Sequence, residues 1–322
     1  MIVDTLNTQL ESRNNINIPA YIRYLGSCTR IDELTFREFI LVYDVMCLAV
    51  QSKGSNISTK LITQVLEEPF MEKQFSVCTE VPGIVLQYTA ALSPVHQDRN
   101  NSLDYVCVDW SRVVLDPVVE GVDYINASWT PGYSGPTDFI ISQHPVPNTL
   151  HQFWSMVWQT GTKIIVCLSV IPHQFWPVMQ VPLILPGLRV WLDSEGSLGG
   201  YRSTQLVLQC GDVTTSVQLI SCPNWPHQSV PVSNCVHLVD CVNKQLTSGP
   251  VLVVDSYGAT EAAIFVTLSS LVRQMDTESA VDLFYWFKAV HLSRPGVWIS
   301  PDNLFFLYRV LAELCSINPG RK

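Results

Sequence analysis

The period of apolar and polar positions changes twice along this chain. Residues 34–50 and 59–67 carry apolar side chains at helical spacing, with a loop expected between them at 54–58. From 104 to 254 short β-branched and aromatic runs take over, at 113–115, 123–128, 139–142, 164–170, 188–192, 205–208 and 214–219. Helical patterns at 149–159 and 234–246 interrupt them, and helical spacing dominates again after Ala262. The run 251–254 is apolar at every position, which predicts a strand buried on both faces. An α/β (α+β) fold follows, a mixed sheet with helices on its faces.

One internal match bears on domain organisation. Residues 16–43 align without a gap on 281–308, pairing Ile16, Ile18, Ile22 and Arg23 with Val281, Leu283, Phe287 and Lys288. Two unrelated amphipathic helices could give such a match by coincidence. The sharper reading is that 1–45 are the last helices of a preceding domain with a linker, and that 46–322 are a complete second copy. Residues 1–45 are then expected to pack as helices, because their apolar positions need a partner surface.

Composition narrows the function classes. At 47% hydrophobic, the 322 residues can bury a large core. The net charge of -9, without a block of basic residues, argues against nucleic acid or an acidic membrane as partner. No apolar run approaches the roughly 18 residues needed to span a bilayer, and the first residues lack a signal-peptide layout. The ten cysteines include no CxxC pair, and several sit in apolar runs, so they are expected to be reduced core residues of a cytoplasmic protein. No metal or cofactor is expected.

Several ordered motifs then carry a resemblance. The chain reads DYINAS at 123–128, GY at Gly132 and Tyr133, FIISQHP from Phe139 and FWSMVW from Phe153. It also has SRV at 111–113, a WP pair at Trp225 and Pro226, and RPG at 294–296. In register and order this resembles the protein tyrosine phosphatase family, which implies a highly twisted mixed sheet flanked by helices. Most of the matching positions are scaffold, such as Trp154 and Trp158 on one helical face.

In active relatives a buried strand ends in the loop HCSAGxGRTG, where backbone N–H groups cradle phosphate, the cysteine attacks and the arginine clamps. The corresponding stretch here, 254–263, reads VDSYGATEAA. The resemblance therefore puts Asp255 in the nucleophile position and Glu261 in the arginine position, with Ser256, Tyr257 and Gly258 in the substrate-binding turn. Glu261 would repel a dianion at close range where arginine attracts it. The WPD general acid becomes His227, which could donate a proton near neutral pH or simply be a loop residue. The substrate-stacking tyrosine falls on Ser102, with Tyr105 three positions late, and the water-positioning glutamine falls on Ile299. A loop that holds an acid and a base in relatives is shortened after Leu168.

These losses imply a domain without phosphatase chemistry. A carboxylate at a strand end facing a helix N-terminus could itself fill the pocket and hold the loop, or the position could have drifted. Aspartate at this place resembles the membrane-distal second domain of receptor-type tyrosine phosphatases, the subgroup with the gamma and zeta receptors and invertebrate relatives. The resemblance implies a regulatory or protein-interaction module on the cytoplasmic side of a plasma-membrane receptor. Its expected partners are the neighbouring catalytic domain or other signalling proteins. A phosphotyrosine-binding trap, or a weak phosphatase using Asp255 and His227, are the alternatives.

Overall fold

A computed structural model describes residues 2–13, 15–21, 42, 45–47, 49–51, 55–60, 62, 68–80, 86–116, 123–170, 173–223, 225–226, 232–245 and 248–317. Most of the expected helices at 34–50 and 59–67, most of the match at 16–43, and His227 lie outside the described residues. The chain divides into two compact units, Met1–Asn56 with Glu80–Val85, and Ile57–Thr79 with Leu86–Lys322.

In the first unit, helix α1 (Ile2–Arg13) brings Leu6 and Leu10, spaced four residues apart, into a small cluster with Ile18, Val42 and Met46. The second unit holds a nine-stranded sheet. Its strands are β1 (Arg112–Val114), β2 (Tyr124–Gly132), β3 (Gly135–Gln143), β4 (Ile164–Cys167), β5 (Leu183–Leu185), β6 (Leu188–Leu198), β7 (Tyr201–Cys210), β8 (Val213–Ser221) and β9 (Val251–Asp255). They lie in the order β1-β2-β3-β9-β4-β8-β7-β6-β5. β9 runs parallel to both its neighbours, β3 and β4, and β4 runs parallel to β8, while the hairpins on either side are antiparallel.

The central position of β9 explains its unbroken apolar run. Val251 and Val253 face one core together with Ile141, Val166, Phe265 and Leu268. Leu252 and Val254 point the opposite way, into a second core built around Phe153, Trp154 and Ile165. Helix α3 (Leu150–Gln159) covers that second face, where the Trp154 indole N–H donates to the Phe175 carbonyl at 2.9 Å. The first face is covered by α4 (Val232–Asn243), α5 (Thr260–Glu278), α6 (Leu283–Ser293) and α7 (Pro301–Ile317), with α2 (Glu68–Thr79) against α6 and α7. Among the described residues no helix is long and apolar enough to cross a membrane.

Two expectations need correction, and β5 falls outside the expected strand runs. Where a loop is expected at 54–58 the strand Asn56–Ser58, whose last two residues belong to the second unit, pairs with Ala280–Asp282. β5 arises within an apolar, proline-containing stretch and lines the sheet edge by pairing with β6. The cysteines are core residues only in part. Cys78, Cys107, Cys167 and Cys235 are buried, Cys47 is exposed, and Cys210, Cys222, Cys241 and Cys315 are half-buried, all as free thiols.

Candidate functional site

β9 delivers Asp255 to the carboxyl end of the parallel strands with 0% exposure, and the chain then turns through Ser256–Ala259 into α5. The strand end is fastened on both sides: the His144 N–H donates to the Asp255 carbonyl and the Leu168 N–H to the Val254 carbonyl, each at 2.9 Å. A helix of this length begins with N–H groups that have no partner within the helix, and Ala259 at its N-cap has no side chain able to accept them. The Asp255 carboxylate supplies the missing acceptors. Its Oδ1 takes the N–H of Tyr257 at 2.9 Å and of Ala259 at 3.0 Å, and its Oδ2 takes Ala259 at 2.9 Å and Ala262 at 2.9 Å. The anion in this N–H cradle is the protein's own side chain, placed where the helix dipole favours negative charge.

Gly258 makes the turn possible. Its φ is +64°, and a Cβ there would come within 2.7 Å of the Gln143 nitrogen and 2.9 Å of the Arg294 guanidinium. That guanidinium is the site's buried cation, 1% exposed. Its Nε donates to the Gly258 carbonyl, its Nη1 to Ser128 Oγ at 3.0 Å, and its Nη2 to Asn126 Oδ1 at 2.8 Å. Nη2 also reaches the carbonyls of Tyr105 and Tyr257, both at 3.3 Å. The arginine ties the loop to β2 through neutral acceptors. Burial pulls its pKa down, and the charge of Asp255 is among the groups that push it back up.

Asn101 braces the other side of the loop, donating to the carbonyls of His144 at 2.8 Å and Ser256 at 2.9 Å. Glu261, in the first turn of α5, is half-buried, and its carboxyl is pushed up first by burial and then by the Asp255 charge. Protonated, it can donate to Asp255. His144, 3% exposed, sits with Nε2 at 3.3 Å from Ser169 Oγ and 3.5 Å from Cys167 Sγ. Burial pulls its pKa down to about 4 against an opposing pull from Asp255, so the ring is neutral at pH 7. At Cys167 burial and then the Asp255 charge push the thiol pKa up. Cys107, also buried, is pushed up by burial as well.

Of the other positions singled out from sequence, Ser102 turns back on its own chain, its Oγ accepting the Asp104 N–H at 3.1 Å. Three positions on, Tyr105 stacks on Tyr257 with centroids 5.7 Å apart. Ile299 is 64% exposed, its N–H held by Asn303 Oδ1 at 3.1 Å. The structure thus brings Asp255 at the strand end, the turn residues Ser256, Tyr257 and Gly258, and Glu261 in the first turn of α5 together. Sequence reasoning missed Arg294, Asn101, His144 and the Tyr105–Tyr257 stack. The RPG triplet was the one available signal for Arg294, and it reads as scaffold.

The model of the family described as Protein-tyrosine phosphatase matches residues 96–313. A putative receptor-type tyrosine-protein phosphatase mosPTP-1 of Culex quinquefasciatus is 32% identical over 98% of this chain and 22% of its own length. Tyrosine-protein phosphatase 99A of Drosophila melanogaster is 28% identical over 98% of this chain and 25% of its own. Receptor-type tyrosine-protein phosphatase zeta of Rattus norvegicus is 27% identical over 98% of this chain and 15% of its own. The chain spans a quarter or less of these curated relatives.

Proposed function

The chain belongs to the protein-tyrosine phosphatase family, and we propose that it is a catalytically silent regulatory domain of a receptor-type phosphatase, one whose phosphate cradle is occupied by its own carboxylate. One observation carries this reading: both Asp255 oxygens accept the N–H groups of the turn and of the start of α5, and the side chain has no exposure. A carboxylate so held is neither free to attack phosphorus nor easily displaced by phosphate. Glu261 beside it adds a second like charge, against which a dianion would have to bind. The same filled cradle counts against a phosphotyrosine trap and against an enzyme that uses Asp255 as nucleophile.

In this reading residues 1–45 are the helical end of a preceding phosphatase domain with its linker, and the module acts on the cytoplasmic side of the membrane. It would contact the neighbouring catalytic domain or another signalling protein. Two measurements test it. Titration with a phosphotyrosyl peptide is expected to give no saturable heat. The adjoining catalytic domain of the same full-length protein is expected to bind the chain or change its own rate in the chain's presence. A saturable peptide isotherm supports the trap instead, and a catalytic domain indifferent to the chain removes the regulatory role.

A further inference from the structure

Remote in sequence from the cradle residues, a recess of about 510 Å³ opens between the β2–β3 turn, the end of α5 and the start of α6. Its lining combines three aromatic rings, from Tyr133, Tyr285 and Trp286, with the carboxylates of Glu278 and Asp282 and the amide of Gln274. The Trp286 ring belongs to the main core at 6% exposure, and Tyr133 packs against that core. Trp286 is fixed through its indole N–H, which donates to Gln274 Oε1 at 3.0 Å. Tyr285 meets it edge-on at 4.9 Å between centroids, and Tyr133 lies 6.4 Å away. Tyr285 is 53% exposed, although a large aromatic ring at a helix start could have been buried.

Glu278 is equally preorganised. Its Oε1 accepts the Tyr133 hydroxyl and its Oε2 accepts the Gln274 amide, both at 3.0 Å, and Gln274 is itself 7% exposed. A carboxylate has about four acceptor positions, so neutral donors fix this one while leaving room for a charged donor. Asp282 caps α6 by accepting the Tyr285 N–H at 2.9 Å, and its charge adds to that of Glu278. The lining contains no lysine, arginine or histidine. The nearest demonstration of the chemistry is Arg273, whose guanidinium carbon lies 5.8 Å from the Tyr133 centroid and which also reaches Asp138 at 3.9 Å, outside the lining.

A pocket with electron-rich faces and a rigid carboxylate selects a cation, and among side chains it favours the planar one. Guanidinium can stack on an aromatic face while forking onto a carboxylate, which an ammonium cannot do. We propose that this recess receives an arginine side chain presented by a protein partner, with Glu278 forming the charge-assisted pair and the exposed Tyr285 ring the aromatic wall. The proposal stands on residues separate from the cradle, so it does not depend on whether the domain is catalytically silent.

The test uses the full chain and N-acetyl-arginine amide, followed by the indole N–H resonance of Trp286, which a Trp286→Phe variant assigns. A saturable shift of that resonance is expected, with a Kd between about 1 and 100 mM. N-acetyl-lysine amide should bind more weakly, and the neutral isostere N-acetyl-citrulline amide should not saturate. Glu278→Gln, an exposed position, should weaken arginine binding about tenfold with the other indole resonances unmoved. Tyr285→Ala should weaken it independently. Absence of a saturable shift, an equal response to citrulline or lysine, or unchanged affinity in Glu278→Gln would overturn the proposal.

Discussion

Truncation of Asp255 to alanine removes the side-chain acceptor that ties the turn to the start of α5. The N–H groups of Ala259 and Ala262, on residues 4% and 0% exposed, lose their carboxylate, as does that of Tyr257. A buried donor left without a partner costs about 1–3 kcal/mol, and Arg294, 1% exposed, loses the favourable field of the Asp255 charge. Relief of the repulsion between Asp255 and Glu261 returns part of this. The expected net loss is about 3–5 kcal/mol, a large share of the roughly 5–15 kcal/mol by which domains are stable. Urea unfolding at pH 7, followed by tryptophan fluorescence, should show the midpoint fall by about 1–2 M at unchanged slope. Asp255→Asn should lose a similar amount, because its amide nitrogen would face N–H donors. Adding sulfate should recover more of the lost midpoint in Asp255→Ala than it adds to the parent, since a small oxyanion can re-enter the vacated cradle. If Asp255→Ala unfolds within about 0.5 kcal/mol of the parent, the carboxylate is not what holds the loop.

Other predictions follow from the same groups. His144 and His291 both have pKa values pulled from 6.5 down to about 4 by burial, so each binds a proton more readily unfolded than folded. Their contribution is fully present above pH 6.5 and is lost as pH falls toward 4, up to about 3 kcal/mol each, so the urea midpoint should drop steadily from pH 7 to pH 5. Glu261 works with the opposite sign: its raised pKa means that its favourable term is present below its ordinary range and is lost as pH rises. Glu261→Gln should therefore raise the urea midpoint at pH 7 and have little effect at pH 4. In a repair series, Asp255→Cys alone should restore almost no hydrolysis, adding Glu261→Arg should recover vanadate binding, and only the further change His227→Asp should bring slow turnover. Robust activity in the single Asp255→Cys variant, read with p-nitrophenyl phosphate, would show that Glu261 does not guard the phosphate position.

Much of this arrangement is readable in the residues, and the unreadable part has a common cause. The four apolar residues before Asp255 announce a strand buried on both faces, and β9 has cores on each side. The glycine at 258 announces a turn that needs positive φ. A carboxylate between such a strand and a helix start can face N–H donors by local geometry, so a filled cradle is one of the two readings that 254–263 leave open, a drifted position being the other. The role of Arg294 is not legible, because its acceptors come from residues 105, 126, 128, 257 and 258, which only the closed sheet brings together. The Tyr105–Tyr257 stack fails for the same reason, since its two rings stand 152 positions apart in the chain. β5 is hidden by the prolines flanking it, which suit a short edge strand as well as a loop.

If the Asp255 carboxylate takes the place of phosphate, the domain has no turnover to lose. A steady-state assay of the purified chain with p-nitrophenyl phosphate and a phosphotyrosyl peptide, with and without magnesium, beside the Asp255→Ala variant, puts this to the proof. No saturable hydrolysis is expected from either protein under any of these conditions. Hydrolysis by the parent chain that saturates with substrate and disappears in Asp255→Ala would contradict it.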